Sequence, residues 1–179
     1  MAKIRVGYCV YFDAATQSAD LLPLLECLGY AIERNRPVDF FLKGIVAREG
    51  GPSGGDPGWA IDWVQTESDA LFPEEWQRCM AQLAPSEDGC YEAWTDPSVS
   101  MLDPPYAYYP RQVVRHHVNE ALGNFRIMHP ERGAEVDEAI KRLKLPENSA
   151  LATEPKFKWQ LQSLMSGFMK WLTTVKTSS

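Results

Sequence analysis

The chain has 179 residues, 45% of them hydrophobic and 23% charged, with a formal net charge of -6. That length and balance suit one folded domain with its own core and exclude a wholly disordered polypeptide. No apolar run approaches the ~20 residues of a membrane-spanning helix, and the first residues lack the apolar stretch of a secretory signal. A cytoplasmic protein without a membrane partner is therefore expected.

Ile4, Val6, Tyr8, Val10 and Phe12 alternate with other residues and predict a first strand. Leu21, Leu22, Leu24, Leu25, Leu28 and Ile32 then mark a helix, with Pro23 in its first turn, Asp20 as its N-cap and Asn35-Arg36-Pro37 at its end. Val38 to Ala47 is read as a second, buried strand. A glycine loop from Gly50 to Gly58 leads to a third strand, Trp59 to Gln65, and the loop length suggests that strands two and three pair antiparallel. Trp59, Ile61 and Trp63 then share one face and Asp62 lies on the other.

Pro73, Glu74 and Glu75 start a helix with the stripe Trp76, Cys79, Met80 and Leu83. Cys90 to Trp94 is a short fourth strand, and the proline-rich stretch from Asp96 to Tyr109 is a rigid loop. Pro110 opens a helix striped by Val114, His117, Val118, Ala121, Leu122 and Phe125. Pro130 opens another, with Val136, Ile140 and Leu143 inward and Asp137–Lys141 and Glu138–Arg142 as outer i,i+4 pairs. A last amphipathic helix, from Thr153 to about residue 176, carries Phe157, Leu161, Leu164, Phe168 and Leu172. The expected fold is α+β: a small, mainly antiparallel sheet of three or four strands with about five helices, concentrated in the C-terminal half. It forms one domain over 1–179, divided into an acidic β-containing part (1–110), a helical part (111–176) and a frayed tail (177–179).

Charge divides the chain in the same place. Residues 1–110 hold 17 Asp and Glu against 7 Lys and Arg, whereas residues 111–179 hold 7 against 11. An acidic face repels nucleic acid and attracts cationic proteins, so direct nucleic-acid binding is not expected.

Motifs for chemistry are weak. Gly51-Pro52-Ser53-Gly54-Gly55 has the spacing of a nucleophile elbow, but no helix follows the serine, so a hairpin tip is the better reading. The same loop lacks the lysine and helix N-terminus of a phosphate cradle. His116 and Glu120 lie one helical turn apart, His117 falls on the apolar stripe, and His129 precedes Pro130 as a cap. Two placed ligands are fewer than zinc takes, so no metal and no cofactor is expected. Cys9, Cys27, Cys79 and Cys90 form no C-x-x-C pair and read as small buried side chains.

What remains is an acidic and aromatic set: Asp62, Glu67, Asp69, Glu74, Glu75 and Asp103, with Tyr106, Tyr108 and Tyr109. Carboxylates steer a basic partner and tyrosines anchor it. The expectation is a non-catalytic binding protein, most concretely an immunity-type inhibitor of a basic toxin such as a nuclease. The alternatives are a small hydrolase or transferase using pocket carboxylates with His116 or His117 as acid/base, and a subunit docking through its last helix. No oligomeric state follows from the pattern.

Overall fold

The computed structural model describes residues 11–12, 18–33, 35–48 and 52–146. The chain divides into two units, Met1–Leu145 and Pro146–Ser179, and all the described residues except Pro146 belong to the first. The strand expected from Ile4 lies outside the described residues except for Tyr11 and Phe12, which sit in a turn, and the last helix lies wholly outside them.

The fold is α+β, and the described residues form a four-stranded antiparallel sheet in chain order: β1 (Gly54–Gly55), β2 (Trp59–Val64), β3 (Cys90–Thr95) and β4 (Tyr106–Tyr109). The inner face carries Trp59, Ile61, Tyr91, Ala93 and Tyr109, all buried, with Trp63 partly buried beside them. Against this face packs α1 (Leu22–Ala31), whose Leu24, Leu25, Cys27 and Leu28 are fully buried. The Cys27 thiol donates to the carbonyls of Ala60 (3.5 Å) and Trp94 (3.3 Å), so one side chain touches two strands. On the outer face lies α2 (Pro73–Met80), which donates from Trp76 Nε1 to the Val64 carbonyl (3.3 Å).

After β3 come a single turn, α3 (Pro97–Ser100), and β4; then α4 (Arg111–Met128) and α5 (Gly133–Arg142) complete the described fold. The stripe expected on α4 is buried at every position from Val114 to Phe125, because residues three and four apart share a helix face. Val136, Ile140 and Leu143 point inward from α5, and α5 packs on α4.

Four local expectations are corrected. The run from Val38 to Ala47 is not a strand: it turns and then forms a π-helical segment, Lys43–Ala47. Its buried residues, Val38, Phe41, Leu42, Ile45 and Val46, recur at helical spacing, which a continuous apolar run conceals. The partner of β2 is therefore β1, within the glycine loop, and Gly54 is required there because a Cβ would meet the Trp59 carbonyl oxygen at 2.3 Å. The stretch from Asp96 to Tyr109 is not a featureless loop: it forms α3 and the strand β4. Asp20 does not cap α1; it lies in a preceding turn of 3-10 helix, Ala19–Leu21, and its carbonyl accepts from Tyr109 (2.6 Å).

The outer pairs of α5 are also replaced. Arg142 reaches across to Asp39, Arg126 pairs with Asp137 (2.6 Å) and Lys141 with Glu138 (3.0 Å). A buried carboxylate such as Asp39 gains more from a guanidinium than a solvated one does, which draws Arg142 off its own helix.

Phe125 joins these layers, with its fully buried ring against Tyr11 (centroids 5.7 Å apart) and His129 (4.6 Å) and under Arg132. Phe125→Ala is expected to remove roughly 3–5 kcal/mol of stability, read as a lower urea midpoint at unchanged slope.

Candidate acidic and aromatic site

The sheet register brings the two halves of the expected site together. Asp62 of β2 pairs with Glu92 of β3, and Glu92 pairs with Tyr108 of β4. Side chains alternate faces along a strand, so the row Asp62–Glu92–Tyr108 and the row Ala60–Trp94–Tyr106 both lie on the outer face. Asp62 is exposed and accepts from the Ser53 hydroxyl. That contact also accounts for Ser53: it enters β1 at a hairpin and bonds a surface carboxylate, without the strand-to-helix turn of an elbow.

Glu92, which no sequence motif singles out, is the centre of the row and is only 5% exposed. Its Oε2 accepts from the Tyr108 hydroxyl (2.7 Å) and from the Leu71 amide (3.3 Å), while its buried Oε1 has no hydrogen-bond partner among the described residues. Burial raises its pKa above the ordinary 4.5; the two hydrogen bonds oppose that shift and nearby Asp62 adds to it. The Tyr108 phenol is raised too, first by burial and then by its bond to Glu92, so it stays protonated as the donor. It also accepts from the Phe72 amide (3.0 Å).

The segment between β2 and α2 crosses this row. A turn of 3-10 helix, Glu67–Asp69, exposes both carboxylates, and Thr66 donates to Asp69 (2.6 Å). Next come Leu71, 65% exposed, and Phe72, whose ring stacks on Tyr106 at 3.4 Å between centroids and 6° between planes. Glu74 and Glu75 occupy the first turn of α2, where a helix N-terminus favours negative charge, and Glu75 pairs with Arg78. Tyr106 and Tyr108 thus share the outer sheet face with Asp62, while Glu67, Asp69, Glu74 and Glu75 lie on the segment and helix that follow β2. Tyr109 alternates to the inner face and is buried. Asp103 is exposed in the turn before β4, outside the row. Leu71 escaped the sequence pattern because a lone leucine between acidic residues has no period.

Cys79 of α2 meets Cys90 of β3, eleven positions further along the chain; both are free thiols in hydrogen-bond contact, which lowers the pKa of Cys79 and raises that of Cys90. On α4, His117 Nδ1 lies 3.0 Å from Glu120 Oε2, and donor atoms of His116, His117 and Glu120 all fall within 4.8 Å of one another. His117 is buried, as its place on the stripe implied, with its ring edge-on to Phe12. Burial lowers His116, and the bond to His117 lowers Glu120. His129 does not act as the expected side-chain cap: it precedes the 3-10 turn Pro130–Arg132 without a side-chain cap bond, and its Nδ1 lies 3.6 Å from Glu131.

Comparison with protein-family models, with curated proteins and with solved structures finds no match to this chain. No helix among the described residues is long and apolar enough to cross a membrane.

Glu92 gives the row a measurable pH signature. Its folded-state pKa lies above its unfolded one, so the native protein keeps the proton to higher pH and Glu92 subtracts stability as pH rises through that window. Glu92→Gln has no proton to lose and can still accept from Tyr108. Its stability relative to the parent is expected to rise from about pH 4 upward and then level off above the folded pKa, as read from urea midpoints between about pH 4 and 8. A constant difference across that range would contradict the assignment.

Proposed function

We propose that the protein is a non-catalytic binding protein whose outer sheet face engages a basic protein. One observation carries this: from residue 52 to residue 110 eleven Asp and Glu accompany a single cation, Arg78, which is itself paired with Glu75. Asp62, Glu67, Asp69 and Glu74 expose part of that charge, and Asp62 shares the outer sheet face with Tyr106, on which Phe72 stacks next to the exposed Leu71. Like charges brought together raise the local potential and speed the encounter with a cation. Exposed leucine and stacked aromatic rings then supply the desolvated contact that slows dissociation. An inhibitor of a cationic toxin such as a nuclease, working as an immunity protein in the cytoplasm, is the most concrete form of this function.

The test separates steering from anchoring. The parent chain, used as bait at low salt in an extract of its native host, is expected to retain a basic protein in stoichiometric amount. The variant Glu67→Lys, Asp69→Lys, Glu74→Lys, Glu75→Lys should associate with that protein about tenfold or more slowly, with little change in the parent's dissociation rate. Leu71→Ala should do the reverse, raising dissociation and leaving association alone. Retention of an acidic protein, or an unchanged association rate in the charge-reversed variant, would refute the proposal.

A further inference from the structure

We infer that a second site, a cleft between the π-helical segment, the start of α4 and the end of α5, binds a diphosphate group. The cleft has a volume of about 280 Å³ and five cations on its wall, Arg48, Arg111, Arg115, Arg142 and Lys144, backed by Val46 and Leu143. That volume is near the lower bound of small-molecule sites, roughly 300 Å³, and suits a compact anion better than an extended polymer.

The charge does not cancel. Arg142 bonds Asp39, which also meets Lys43 at 3.4 Å, and Arg111 lies 3.4 Å from Asp88. Arg48, Arg115 and Lys144 face no carboxylate among the described residues. Five wall cations against two carboxylates, one of them shared with Lys43, leave a surplus of at least three. One phosphate ester carries about -1.5 to -2 and falls short of that surplus, whereas two adjacent phosphates, at about -3, match it. Guanidinium groups are the side chains best suited to grip such oxygens in pairs.

The cations are also held in place before any ligand arrives. Arg115 donates to the carbonyls of Leu143 and Lys144 at the end of α5. Arg48 and Arg111 each lie 4.8 Å from the ring centroid of Trp63. Trp63 packs edge-on against Tyr91 (4.8 Å), and Tyr91 donates to the Ile45 carbonyl (2.8 Å), tying the π-helical segment to the sheet. Two helical segments that border the cleft end in a left-handed residue, Arg48 at φ 55° and Lys144 at φ 51°. Glycine is the usual occupant of that conformation, and here both positions carry a positive charge into the cleft instead.

Those two residues supply the experiment. Arg48→Gly with Lys144→Gly removes two cations and gives each position the residue its backbone favours, so the variant should melt at or above the parent temperature. The full chain is titrated calorimetrically with pyrophosphate, orthophosphate and ADP at two salt concentrations. The parent should bind pyrophosphate at least about tenfold more tightly than orthophosphate, and the double variant should lose about tenfold or more in pyrophosphate affinity. If ADP binds more tightly than pyrophosphate, the group belongs to a nucleoside diphosphate; if less tightly, to the free anion. Should the double variant fail to fold, Lys144→Gln alone decides by the same loss. Absence of saturable binding to the parent, or equal affinity in a folded variant, overturns the site.

Discussion

A strand buried on both faces has no solvent side on which to put a charge, yet β3 carries Glu92 in its middle. The outer layer of the described fold answers to that constraint. Tyr108 on β4 donates to the carboxylate, and the Leu71 amide is turned down onto it. Phe72 follows and donates in turn to Tyr108. A buried carboxylate stripped of these donors would be costly, so the crossing segment and β4 are fixed relative to β3 by the need to satisfy one oxygen. The helix α2, which starts at the next residue, inherits its position from that contact.

The inner face works by a different rule. There Tyr91 and Trp63 are the polar-edged aromatics: Tyr91 bonds the π-helical segment, and Trp63 lies under two guanidinium groups. One strand pair, β2 and β3, therefore stands between charges of opposite sign, with Asp62 and Glu92 on its outer side and Arg48 and Arg111 over Trp63 at one end of its inner side. An acidic surface and a basic cleft can coexist in one small unit because strands stand between them and neither has to neutralise the other.

The elements legible in the sequence were those with a single clear period. The helices α1, α2, α4 and α5 and the strand β2 follow from residues spaced at three to four or at two, and β3 shows only as a short apolar and aromatic run. The segment from Val38 to Ala47 has apolar residues dense enough to satisfy both patterns, and burial, not spacing, selects the helical set. The strand β4 was hidden by Pro104 and Pro105, although Tyr106 and Tyr108 alternate with Ala107 and Tyr109; prolines just before an edge strand do not interrupt its ladder. Asp62 and the tyrosines could be picked out one by one, but their union depends on register, which no local signal encodes. Glu92 had one faint mark, a carboxylate amid the apolar Cys90-Tyr91 and Ala93-Trp94. The basic cleft had none, since its cations are drawn from residues 48 to 144 and meet only in three dimensions.

Cys27 holds a further consequence. Its thiol is fully buried between α1 and the sheet, donates to carbonyls on two strands, and is pushed by burial far from the ionised form that reacts with electrophiles. A reagent can reach it only when the helix lifts from both strands at once. Alkylation at this position is thus a clock for opening of the central interface, ticking at the frequency with which the folded unit comes apart and indifferent to looser motions at the edges.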